Sequence, residues 1–133
     1  MAAVDSNVLL RLLVQDDDAQ HRAAGAFFRT AGRVFVSQVV LVEVVWALST
    51  TYRFSKSRVV AVIERLLELE TLTLQDVATV ADALDDYRSH GADFSDCLIL
   101  ALARKENELP LATFDAKLAK LQGVRKLGGR TRK

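Results

Sequence analysis

Short, wholly apolar segments alternate with longer segments of helical periodicity along most of this 133-residue chain. A strand without polar side chains suits the interior of a parallel sheet, where helices cover both faces. Strands that alternate with helices predict βαβ units and hence an α/β fold class with a central parallel sheet. We expect four to five short strands, at residues 2–4, 34–36, 72–74, 110–113 and 123–127.

Helical periodicity and start signals predict the helices that flank this sheet. We expect them over residues 8–13, 18–30, 38–51, 55–70, 76–91, 93–103 and 116–121. The length fits one domain over residues 1–133. Residues 116–133 contain seven Lys or Arg and no acid, although the net charge is only +1. We expect 123–133 to be a basic C-terminal segment, open to being flexible, that either contacts a polyanion such as RNA or only improves solubility.

Composition excludes several other classes of protein. Half of the residues are apolar and one is proline, which argues against a disordered chain. One cysteine cannot form an internal disulfide, and two histidines with one cysteine do not supply the four N or S ligands of a structural zinc site. The 19 residues between Arg33 and Arg53 carry only one charge, Glu43, but that acid and several polar residues disfavour a membrane span. We expect a soluble, cytoplasmic protein without a signal peptide.

The segment ADFSDCLILALA, at 92–103, places two acids at the start of an apolar helix. Seven apolar residues in succession predict a helix that is buried on all sides. If Asp93 is the N-cap, Asp96 occupies the third helical position, and side chains three residues apart share one face. A cap and a favourable helix-dipole contact are the simpler explanation. A cap and a dipole contact account less well for two acids, Asp93 and Asp96, on the same face of the helix.

Three further acids occupy positions that the topology makes informative. Asp5 follows the first strand and Asp115 follows the fourth, so each should lie at the carboxyl end of a strand, where α/β folds place their sites. Either acid could instead cap the next helix. Glu43 lies in an apolar helix with no Lys or Arg three or four residues away. A buried Glu43 would need a distant partner, a metal or a solvent-lined cleft, although a surface position remains open.

Taken together, these carboxylates predict a site for a divalent cation. Carboxylate oxygens are the ligands that Mg²⁺ and Mn²⁺ prefer. A cluster of acids repels itself when no cation is bound, which makes it a poor structural device. The residues alone therefore support a metal-binding acidic cluster.

Four segments give the chain a resemblance to a known family. VDSNVLLR, VVLVEVVWAL, ADFSDCLILALA and LATFD occur in this order over nearly the whole sequence. The pattern resembles the PIN domain, a three-layer α/β fold, and most of all the VapC-type ribonuclease toxins. The resemblance carries the family's acidic quartet onto four positions: Asp5, Glu43, Asp96 and Asp115. It makes Asp93 an additional acid and makes Asn7 and Thr113 polar residues that orient the first and last acids. Cys97 departs from the usual small residue.

The resemblance implies an endoribonuclease that depends on Mg²⁺ or Mn²⁺ and acts as the toxin of a type II toxin–antitoxin system. It implies an RNA substrate such as tRNA or rRNA, a VapB-like antitoxin that blocks the site, and a homodimer. A metal-bound water needs no histidine base, which agrees with His21 and His90 lying outside every motif. The alternative is a catalytically silent RNA-binding or protein-interaction module with the same fold.

Overall fold

The structure is a computed structural model that describes residues 2–128. The chain forms two compact units, Met1–Val77 and Ala78–Lys133. Residues 129–133, which belong to the predicted basic segment, lie outside the described residues.

A three-stranded parallel sheet organises the first unit. Its strands are hydrogen-bonded in the order β1 (Ala2–Ala3), β2 (Val34–Val36), β3 (Leu72–Leu74). Ala2 pairs with Val34, and Val34 pairs in turn with Leu72. Two helices follow β1 and two follow β2, as parallel connections require. The elements are β1 (Ala2–Ala3), α1 (Ser6–Leu13), α2 (Asp18–Ala31), β2 (Val34–Val36), α3 (Gln38–Thr50), α4 (Lys56–Glu68) and β3 (Leu72–Leu74).

Local sequence explains where the helices of this unit begin. Asp5, Asp17, Ser37 and Ser55 are N-caps, and the side chain of each accepts a hydrogen bond from the amide three residues later. Such caps satisfy amide groups that the helix itself leaves unpaired. The apolar faces that follow build the core, whose fully buried side chains include Leu9, Val34, Val36, Leu41, Leu48 and Ile63.

The second unit contains a two-stranded parallel sheet, in which Thr113 pairs with Lys126. Its core includes α6 (Phe94–Lys105), whose buried residues include Phe94, Cys97 and Leu100. The ring of Phe94 packs edge-on against Tyr87, with 5.8 Å between centroids. The elements are α5 (Val77–Ser89), α6 (Phe94–Lys105), β4 (Leu111–Thr113), a single 3₁₀ turn (Leu118–Lys120) and β5 (Val124–Lys126).

The predicted α/β class with short parallel strands is confirmed, and the described residues contain five strands in groups of three and two. Two details differ from expectation. The helix predicted over 116–121 is one 3₁₀ turn, and α6 is not buried on all sides because Ile99 is 50% exposed. An uninterrupted apolar run cannot show which face of a helix meets the core. Between residues 2 and 128, none of the helices has the length and apolar character of a membrane span.

Candidate functional site

Asp5 follows β1 and caps α1. Its Oδ1 accepts a hydrogen bond from the Val8 amide at 3.0 Å. The capping interpretation is therefore confirmed, and Ser6 is the first residue of the helix. The cap uses one carboxylate oxygen, so the other can serve a second function. Asp5 is exposed and, with Asn7 and Phe27, lines a largely apolar groove of about 560 Å³.

Glu43 lies on the solvent-facing side of α3. Of the positions that the sequence left open for Glu43, the structure shows an exposed one, because the core-facing positions of α3 are Leu41, Val44, Val45 and Leu48. The apolar run around Glu43 is longer than the buried face, so apolar sequence neighbours do not make this residue internal. Glu43 instead lines a groove of about 370 Å³ with Ser6, Val42, Trp46 and Ala47. This is the solvent-lined cleft that the sequence left open.

Asp93 and Asp96 occupy the start of α6 as the sequence predicted. Asp93 is the N-cap, in extended backbone conformation, but its side chain makes no capping hydrogen bond. The carboxylate of Asp93 is therefore not engaged by the helix that it precedes. Asp96 is the third residue of the helix and is half-buried. Side chains with this spacing lie on one face of the first turn.

Asp115 follows β4 and is held by its local turn. Its Oδ1 accepts a hydrogen bond from the Lys117 amide at 2.8 Å, and its own amide donates to Thr113 Oγ1 at 3.0 Å. Thr113 thus fixes the backbone that carries the acid. The cap of a following short helix, which the sequence left open for Asp115, takes the form of this tight turn ahead of a single 3₁₀ turn.

Burial raises the pKa of Asp96, and the charges of Asp93 and Asp115 raise it further. Asp93 and Asp115 are therefore each close enough to Asp96 for their charges to disfavour its ionised form. Repulsion of this kind is relieved by a proton or by a cation. An all-oxygen set of donors suits a hard divalent ion better than a soft one.

Of the predicted quartet, Asp5 and Glu43 belong to the first unit, while Asp96 and Asp115 belong to the second. Among residues 2–128, no three His, Cys, Asp or Glu side chains are gathered in a group that could hold a metal ion. The chemistry of the donors fits Mg²⁺ or Mn²⁺, but these donors do not form a ready-made group of three ligands.

Both histidines contact backbone carbonyl groups. His21 Nδ1 lies 2.8 Å from the carbonyl oxygen of Arg11, and His90 Nδ1 lies 3.1 Å from that of Asp86.

Two features of the first unit were not predicted from the sequence. Trp46 is 65% exposed beside Glu43, although its apolar neighbours suggested core. The sequence signal for this exposure was that Trp46 follows Glu43 by three residues, which places both side chains on one face of the helix. Arg11 bonds Asp16 and Tyr52, and Tyr52 donates to Asp16 Oδ2 at 2.8 Å. No local pattern connects Tyr52 with Arg11 and Asp16, which lie far from it in the chain.

A scan against protein-family models matches the PIN domain over residues 2–124. The chain belongs to the PIN domain family. Among curated proteins it is similar to the VapC ribonuclease of Aquifex aeolicus (strain VF5). The two sequences are 23% identical over 124 residues, which cover 91% of this chain and 92% of the relative.

Proposed function

We propose that the protein is a metal-dependent endoribonuclease that acts as the toxin of a type II toxin–antitoxin pair in the cytoplasm. The family match and the VapC ribonuclease relative support this activity. The proposed substrate is RNA, such as tRNA or rRNA. The proposed partners are a VapB-like antitoxin and a second copy of the chain.

The crowding of acids at the start of α6 carries the metal-dependent part of the proposal. Asp96 has a pKa raised by burial and by two neighbouring carboxylates, which is the electrostatic situation that a divalent cation relieves. Structural ion pairs usually provide a basic partner, whereas the charges that act on Asp96 are both acidic. A cation from solution therefore explains the arrangement better than a purely structural role.

We assign roles to the acids on this basis. Asp5 and Asp96 would hold the principal Mg²⁺ or Mn²⁺, Glu43 would complete its ligands or orient water, and Asp115 would hold a second, weaker ion. The bound ion would lower the pKa of its water and offset charge that develops on the phosphate.

The surrounding residues would keep these acids in place. The cap bond from the Val8 amide fixes one oxygen of Asp5, and Thr113 fixes the turn of Asp115. Asn7 would orient Asp5, and Asp93 would add negative charge at the mouth of the site. Ser6 is not assigned as a nucleophile, because a metal-activated water makes one unnecessary.

Cleavage of RNA by the purified protein tests this proposal. We expect cleavage with Mn²⁺, none with EDTA, and a loss of at least about 100-fold in Asp96→Asn, since removal of an electrostatic stabiliser typically has that effect. Asp82→Asn is the matched control, because Asp82 is an exposed acid of the same unit outside the proposed site. Equal cleavage patterns from wild type and Asp96→Asn would contradict the proposal.

A catalytically silent PIN-like module that binds RNA or protein is the second candidate. It is favoured by the lack of a preassembled group of three ligands among residues 2–128. Under this alternative the protein would bind RNA or a partner protein without cleaving RNA. The RNA would stay intact with or without Mn²⁺, for wild type and for Asp96→Asn.

A further inference from the structure

Three aromatic side chains of this chain are exposed. The chain has one tryptophan, two tyrosines and six phenylalanines, and all of them lie within the described residues. The exposed rings are those of Phe27 at 36%, Trp46 at 65% and Phe114 at 75%. A large ring left in water forgoes the favourable free energy of burial. Each of these rings is therefore a candidate for contact with a bound molecule.

Each exposed ring accompanies a different acid of the proposed site. Phe27 lines the groove that contains Asp5. Trp46 lines the groove that contains Glu43. Phe114 immediately precedes Asp115 in the chain. The central part of a protein–protein interface is usually depleted of charge, whereas proteins that bind single-stranded RNA use aromatic faces beside polar groups. Because the proposed function brings the RNA strand to these acids, the rings beside them are placed to contact RNA bases.

Trp46 has the best-defined surroundings of the three. It follows Glu43 by three residues, so both side chains lie on the same face of α3. The opposite face anchors the helix in the core through Val44 and Leu48, which are fully buried. The indole is therefore presented by a rigid element, at a fixed distance along the helix from the Glu43 carboxylate.

We propose that Trp46 stacks on an unpaired base of the RNA substrate and thereby holds the strand beside Glu43. The choice of RNA rests on the proposed function. A base within a duplex is covered on both faces by its neighbours, so this contact requires an unpaired nucleotide. Every base has an aromatic face, so stacking selects for single-stranded character more than for sequence.

Because Trp46 is the chain's single tryptophan, its intrinsic fluorescence reports on this contact. We expect a short single-stranded oligoribonucleotide to quench the fluorescence of wild type to a saturating level. The titration uses Ca²⁺ in place of Mn²⁺, with the integrity of the strand checked on a gel. The same sequence annealed into a duplex should quench much less.

Substitutions then separate stacking from general apolar contact. We expect Trp46→Ala to weaken binding of a labelled oligoribonucleotide roughly 5- to 150-fold, the usual cost of losing one stacked base. Trp46→Phe should retain most of the affinity because it keeps a ring. Val39→Ala is the matched control, since Val39 is 69% exposed on the same helix but cannot stack. A thermal melt confirms that each variant is folded.

Several results would overturn the inference. RNA binding and cleavage without quenching would reject stacking but leave the ribonuclease proposal standing. Equal losses in Val39→Ala and Trp46→Ala would identify a general apolar docking face instead. A fluorescence shift that depends on protein concentration without RNA would assign this face to a second copy of the chain. If wild type neither binds nor cleaves RNA, both proposals fail.

Discussion

At the scale of single residues, Asp5 combines a structural and a proposed catalytic role that substitution can separate. Asn caps helices about as well as Asp, whereas Ala does not. We expect Asp5→Ala to lower the free energy of unfolding by about 1 kcal/mol in urea without metal, and Asp5→Asn to change it by only a few tenths. Both variants should lose Mn²⁺-dependent cleavage. Equal destabilisation by the two variants would show that the charge itself stabilises the fold.

Asp96 should behave in the opposite way when metal is absent. Its raised pKa means that the charged form is disfavoured in the folded protein. Replacing it with neutral, nearly isosteric Asn should therefore raise the melting temperature at pH 7 in EDTA. Asp82→Asn, which removes an exposed acid of the same unit, serves as the control. A lower melting temperature for Asp96→Asn would indicate a structural role for its charge.

Asp16 should give the first unit a dependence on acid pH. Hydrogen bonds from Arg11 and Tyr52 lower the pKa of Asp16 below its ordinary value of 3.8. A carboxyl group with a lowered folded-state pKa stabilises the protein above its unfolded pKa, and this stabilisation is lost as the pH falls through the folded value. Wild type should thus be more stable than Asp16→Asn at pH 6, with the difference shrinking below about pH 4. Parallel urea titrations would check this, and a difference that persists at pH 2 would contradict it.

At the scale of elements, local signals were sufficient for most of the fold. Short apolar strands and capping residues act within a few positions, so their sequence pattern predicts Val34–Val36, Leu72–Leu74 and the start of α6. The orientation of α3 was not predictable in this way. Residues 39–48 of that helix are all apolar except Glu43, so no contrast between faces marked the exposed side of Glu43 and Trp46.

The end of α3 offers a test of backbone strain. Arg53 has φ of 57°, a left-handed conformation that suits glycine better than residues with a Cβ. We expect Arg53→Gly to raise the free energy of unfolding by about 0.5–1 kcal/mol in urea. Asn107, with φ of 59° after α6, is the control. Asn tolerates this region, so Asn107→Gly should gain less. A loss of stability in Arg53→Gly would mean that its side chain contributes more than the strain costs.

At the scale of the whole molecule, the proposed acids come from distant parts of the chain. The sequence could place Asp5 and Asp115 after strands, because short apolar runs mark those strands. The two strands belong to different sheets, β1-β2-β3 and β4-β5. The sequence could also place Asp93 and Asp96 at a helix start. How closely carboxylates approach depends on side-chain packing over long separations, which no local pattern encodes. The topology expected from the sequence and the resemblance to the PIN domain both grouped these acids, and the grouping remains a prediction.

Binding of Mn²⁺ to the folded protein tests that grouping without any RNA. A ligand that binds only the native state stabilises it by about 2.7 kcal/mol when present at 100 times its dissociation constant. We expect urea unfolding to show an increment of this size for wild type and Asp82→Asn, and a much smaller one for Glu43→Gln and Asp96→Asn. These two substitutions alter acids of different units, so a loss in both would mean that one ion depends on both carboxylates. A loss in Asp96→Asn alone would restrict the ion to the acids around α6 and remove Glu43 from the metal site.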